Sequence, residues 1–97
     1  MPTYFATMRF RREFEKLSPE HQALFMAAVA KFVQDLRKGR FRKSLRVKRY
    51  LGHEDVWELS WAPDGRALFK HGAEARRGEP HVIWLRIGGH EIFESEV

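Results

Sequence analysis

The sequence predicts an α+β fold, with two N-terminal helices (a helical hairpin) packed on a small antiparallel sheet. Three observations predict it. Apolar residues recur at helical spacing as far as Leu36 and alternate from Leu45 onward, so the period changes once along the chain. A strong hairpin signal, Ala62-Pro63-Asp64-Gly65-Arg66, falls inside the alternating half. The 97 residues leave space for one hydrophobic core, so residues 1–97 are expected to form one domain.

Taken in order, Tyr4 to Thr7 reads as a short first strand. Phe10, Phe14 and Leu17 then recur at helical spacing, which predicts a short amphipathic helix. Ser18 is a good N-cap for a second helix, Pro19 suits its first position, and Glu20 suits the positive end of its dipole. Leu24, Phe25, Ala28, Val29, Phe32, Val33 and Leu36 form one apolar stripe, and Gly39 is a natural stop. Strands are expected over Leu45–Tyr50, Val56–Trp61, Arg66–Lys70 and His81–Ile87. At the hairpin, Gly65 suits a left-handed bulge position, which would pair Ala62 with Arg66. Gly88 and Gly89 suit a sharp bend with positive φ after the last strand, and His90 follows at once.

The composition is globular, 43% hydrophobic and 13% aromatic, which excludes a disordered chain. There is no cysteine, which excludes disulfide frameworks and thiolate zinc sites. No apolar run approaches a membrane span and no signal-peptide core is visible, so a cytoplasmic location is expected. His21, His53, His71 and His81 have no metal-ligand spacing, and neither metal nor other cofactor is expected. Ser60 has no evident base for nucleophilic chemistry.

Charge is the informative part. The net charge is +5, and the segment RKGRFRKSLRVKR, Arg37–Arg49, holds eight of the 18 basic residues and no acid. Such a run is a solvated surface, an acidic-protein contact or a phosphate-binding stripe; its density favours the stripe. By alternation, Arg46, Lys48, Glu58, Ser60, Arg66, Lys70 and Arg86 share the sheet face turned away from the helices, and Trp84 joins Arg86 by parity. Trp57, Leu59, Trp61, Ala67 and Phe69 fall on the face the helices cover.

The run FVQDLRKGRFRKSLRVKR, the hairpin VWELSWAPDGRALF and the ending WLRIGGHEIF, in that order, resemble the RelE/ParE superfamily of bacterial toxins from type II toxin–antitoxin systems. The resemblance spans about Phe10 to Phe93. It implies a small sheet carrying two N-terminal helices and, in the RelE- and YafQ-like branch, a ribosome-dependent endoribonuclease. In that branch the ribose 2′-OH attacks the neighbouring phosphate without metal, and translation is inhibited. It also implies a cognate antitoxin, with the ribosome and mRNA as further partners, and a homodimer or toxin–antitoxin hetero-oligomer as the assembled form.

Residue by residue, Arg66 matches the arginine held against the scissile phosphate, and Arg86 matches a second phosphate-binding arginine. The spacing Arg-x-Gly-x-His from Arg86 to His90 resembles the YafQ-like ending, where the histidine acts as general acid or base. Phe93 is one residue closer than that pattern has it. Where RelE-type members carry catalytic lysines, this chain has Glu58 and Ser60.

The chemistry needs a base for the 2′-OH, cations for the phosphorane and an acid for the 5′-oxygen. His90 suits either proton transfer, since an unperturbed imidazole has a pKa of about 6.5. Glu58 is the other candidate base, and Arg66 and Arg86 suit bidentate phosphate contact. Arg42, Lys43, Arg46, Lys48 and Arg49 are candidate RNA-backbone contacts, and Trp84 a candidate stacking platform. Glu58 and Arg66 read equally well as a cross-strand ion pair, and Trp84 reads better as packing than as a platform. A ParE-like gyrase poison without enzymatic activity, or a binding member without toxicity, are the competing functional classes.

Overall fold

A computed structural model describes residues 2–50 and 52–89. The elements are β1 (Thr3–Ala6), α1 (Met8–Glu15), α2 (Pro19–Lys38), a 3-10 turn (Lys43–Leu45), β2 (Lys48–Arg49), β3 (Trp57–Ala62), β4 (Gly65–Gly72) and β5 (His81–Gly88). They form one five-stranded sheet of order β1-β5-β4-β3-β2. The α+β reading holds, with one correction. β1 pairs parallel with β5, so the sheet is mixed. Parallel pairing needs a long connection, and everything from α1 to β4 supplies it.

Local chemistry explains both helices. Thr7 caps α1 by accepting from Phe10 N at 3.1 Å, and Ser18 caps α2 by accepting from His21 N at 3.1 Å. α2 ends at Gly39 with φ 71°, a left-handed cap. Phe25, Ala28 and Phe32 of its stripe are buried, whereas Leu24 is exposed. Phe32 is the hub of the core: its ring lies 5.2 Å from Phe41, 5.0 Å from Phe69 and 5.4 Å from Trp84.

Three expectations fail locally. The strand expected over Leu45–Tyr50 is only two residues long, because the 3-10 turn occupies Lys43–Leu45 and Arg46 is left-handed at φ 48°. Ala62 pairs with Gly65 rather than Arg66, and Trp61 is the extra residue on β3. Gly65 has no positive φ; glycine is needed there because an added Cβ would sit 2.5 Å from the Trp61 indole. Gly65→Ala is therefore expected to cost roughly 1–3 kcal/mol through displacement of Trp61, measurable as a lowered urea midpoint. Gly88 stays in β5, opposite Arg66, and the bend after the strand falls at Gly89.

The register of β5 matters most. Phe69 faces Trp84 and Leu68 faces Arg86, so Leu85 is an extra, bulged residue. A bulge moves every later side chain by one face. Val82 and Trp84 thus lie in the core before it, and Ile87 lies in the core after it.

Candidate functional site

The sheet face away from the helices is only partly polar. Ser60 is opposite Arg66 and Glu58 is opposite Leu68, which keeps Glu58, Ser60, Arg66 and Lys70 on one face as alternation predicts. Val56 and Leu68 are buried there with Tyr50 and Leu85 packed against them.

Arg66 is fixed by the hairpin turn. Its Nη1 donates to the carbonyls of Ala62 (3.2 Å), Pro63 (3.2 Å) and Gly65 (2.9 Å). One nitrogen is thus consumed in orientation, while the Nε–Nη2 edge has no acceptor among the described residues. That edge is the bidentate half of the guanidinium fork. Arg66 and Ser60 line a cavity of about 340 Å3 between α2, the 3-10 turn and the hairpin.

Glu58 is not paired with Arg66. It lies directly across from Lys48, and the Lys48 Nζ to Glu58 Oε1 distance is 3.2 Å. The lysine side chain is 67% exposed and the glutamate side chain 9%, so the carboxylate is the buried foundation of an exposed ammonium.

Arg86 is also committed. It is buried, and its Nε and Nη2 donate to the Glu13 carboxylate of α1. Glu13 Oε1 also accepts from Ile87 N at 3.2 Å. The pair fastens the end of β5 to α1 beyond the point where β1 stops pairing. His90 and Phe93 lie outside the described residues.

Trp84 requires a correction. It is buried against Phe10, Phe25, Phe32 and Phe69, with ring centroids 5.3–5.9 Å away. The bulge at Leu85 breaks the parity that grouped it with Arg86, and a base cannot stack on it.

The basic run divides into structural and open members. Arg42 makes a bidentate bond to buried Asp35, with Nε to Oδ2 at 2.8 Å and Nη2 to Oδ1 at 2.9 Å, and its backbone N also donates to Oδ2. These bonds hold the Asp35 carboxyl down at about 2 and raise Arg42 above its usual value. Arg42 is thus an anchor of the α2-to-β2 connection rather than an open phosphate contact, a correction to its place in the stripe. Arg49 sits 5.2 Å over the Trp57 ring. Lys43 and Arg46 are exposed.

Asp35 was the anchor the sequence concealed, a carboxylate one residue before Leu36 in an apolar stripe. Its unfolded value of 3.8 falls to about 2 in the fold, so it stabilises fully above pH 4–5 and loses its effect as pH drops through 2. Urea unfolding of wild type and Asp35→Asn is expected to show a stability gap constant near neutrality that narrows below pH 4. A gap independent of pH down to 2 would contradict the pairing.

Among the described residues no group of three His, Asp or Glu could hold a metal ion, and no helix is long and apolar enough to cross a membrane.

The chain was compared with known proteins. No family model matches, and no curated protein matches in sequence. Solved structures do match over nearly the whole chain. A chain of the E. coli DinJ–YafQ toxin–antitoxin complex superposes with a TM-score of 0.69 at 8% identity, covering 97% of this chain and 98% of that one. The YoeB/ParE toxin from Agrobacterium tumefaciens gives 0.65 at 9% identity, covering 91% and 98%. A copper-bound mutant toxin from Helicobacter pylori gives 0.64 at 17% identity, covering 95% and 98%. The fold is that of small toxins of toxin–antitoxin systems. Within that class it is RelE/YafQ-like: two helices on a five-stranded mixed sheet.

Proposed function

We propose that the protein is the toxin of a toxin–antitoxin system and a metal-independent endoribonuclease that cleaves mRNA on the ribosome. One observation carries the reading: Arg66, fixed by three turn carbonyls, keeps one bidentate guanidinium edge for a phosphate beside Ser60. A fixed donor aimed at a phosphorane needs no reorganisation as charge develops. Lys48 supplies a second cation, with Glu58 as its positioning residue. Arg86, clamped by Glu13, positions the end of β5 immediately before His90, the proton-transfer residue. The 2′-OH attacks the adjacent phosphorus as a base takes its proton, and the P–O5′ bond breaks as an acid protonates the 5′-oxygen. His90 makes one of these two transfers, and the products are a 2′,3′-cyclic phosphate and a 5′-hydroxyl.

The antitoxin is the expected partner. An apolar cleft of about 370 Å3, lined by Phe10, Phe14 and Val29 and by the exposed Tyr4 and Met26, fits apolar side chains of an antitoxin segment. The fold neighbour that carries DinJ is a toxin–antitoxin complex.

A second reading, a gyrase poison of the ParE kind, is favoured by one observation. Glu58 and Arg86, two of the four candidate catalytic groups, are buried in ion pairs. Expression in bacteria separates the two. Translation arrest with cut transcripts supports the nuclease, and DNA damage with filamentation supports the poison.

A further inference from the structure

The cavity beside Arg66 holds more positive charge than one scissile phosphate requires. Lys31 of α2 and Arg46 of the 3-10 turn line it with Arg66, and Ser44 and Ser60 add two hydroxyls. Neither Lys31 nor Arg46 has an ion-pair partner among the described residues. The two cations are 15 residues apart in sequence, so their meeting is a product of the fold. Trp61 lines the same cavity and is 8% exposed, and its indole Nε1 is a buried donor with no acceptor among the described residues. A buried donor without an acceptor is costly. Arg46 is held in the left-handed region at φ 48°, which is strained for a residue with a side chain. Three cations, two hydroxyls and an orphan N–H are the chemistry of an anion site. The volume of about 340 Å3 admits more than a bare ion, and the exposed Leu24 in its lining offers an apolar wall for a sugar or base.

We infer that this cavity is a second phosphate subsite, in which Lys31 and Arg46 bind an RNA backbone phosphate next to the one held by Arg66. The identity of the ligand rests on the ribonuclease reading; the site itself rests on the cavity. It fixes the register of the strand, so that a single-stranded segment is gripped at two successive phosphates and cannot slide during proton transfer. Contacts of this kind position without reading sequence.

The test is binding, measured without cleavage. The probe is a short single-stranded RNA with 2′-O-methyl riboses, which cannot be cleaved by 2′-OH attack, titrated into the full chain at several salt concentrations. The double variant Lys31→Gln/Arg46→Asn keeps helix propensity at one site and tolerates the left-handed backbone at the other. Arg76→Gln/Arg77→Gln, in the exposed loop before β5, removes the same charge elsewhere. The cavity variant is expected to bind about tenfold more weakly than this control. Its salt slope should be smaller by roughly 0.7 per lost contact. In the wild type the Trp61 indole N–H resonance should move on titration, assigned by its loss in Trp61→Phe. Equal affinities and slopes for the cavity variant and the control overturn the subsite. Cleavage on ribosomes is scored separately. If wild type binds at the cavity but cuts nothing, the subsite stands and the nuclease reading falls. If the cavity variant cuts and binds as wild type does, the reverse holds.

Discussion

Arg66→Ala is expected to lower mRNA cleavage on ribosomes by about 100- to 1,000-fold, the usual effect of deleting a preorganised donor to a developing oxyanion. The expectation comes from geometry. Three turn carbonyls at 2.9–3.2 Å hold one nitrogen of the guanidinium, and the Nε–Nη2 edge faces no acceptor among the described residues. Arg66→Lys should recover little, because an ammonium offers no parallel pair of bonds. The variant also loses the turn contacts, each worth about 0.5–1.5 kcal/mol, so its melting temperature must be measured alongside. A rate loss with the fold retained assigns the effect to phosphate. A cleavage rate within threefold of wild type removes Arg66 from the reaction.

Glu13→Ala is expected to destabilise the fold by roughly 3–5 kcal/mol, the cost of stripping one partner from a buried ion pair. The carboxylate serves two customers at once: the Arg86 guanidinium and the Ile87 backbone N–H. Its removal takes that carboxylate from both, and the Arg86 side chain is only 8% exposed. For a chain of this size the melting temperature should fall by upwards of about 10 °C. Glu13→Gln keeps an acceptor for Ile87 and should fall less. Glu13→Leu/Arg86→Met removes both charges and should recover part of the loss, as apolar replacement of a buried pair often does. A melting temperature unchanged in Glu13→Ala would mean that Arg86 is not committed to α1 and is open to serve phosphate directly.

These two residues mark where sequence reading succeeds and where it fails. The helix boundaries were legible because Ser18, Pro19 and Gly39 act locally, through hydrogen bonds and backbone angles that a short window contains. The core face of β3 and β4 was legible because alternation survives from Trp57 to Phe69 apart from the shift at Trp61. The position of Arg66 was legible because the hairpin turn beside it is set by its own residues. The face of Trp84 was misread, though not its packing, because one bulge, at Leu85, reverses parity, and nothing local in Trp84-Leu85-Arg86 announces it. The parallel pairing of β1 with β5 was missed because its partners are 78 residues apart, as Glu13 and Arg86 are 73 apart. Asp35 was passed over because a carboxylate in an apolar stripe looks like a stripe edge until Arg42 folds back onto it. The cavity beside Arg66 was only half visible: Arg46 was read as an RNA-backbone contact, while Lys31 read as ordinary surface charge on α2.

The most direct test of the account is to incubate purified protein with ribosomes programmed with mRNA, chelator present, and to map both ends of any cut. The account predicts cleavage in the A site, leaving a 2′,3′-cyclic phosphate upstream and a 5′-hydroxyl downstream. It also predicts that His90→Ala and Arg66→Ala lose most of the activity while staying folded. Intact mRNA across a full range of A-site codons, with folded wild-type protein bound or unbound, would contradict the nuclease reading and leave a RelE/YafQ-like fold with a different target.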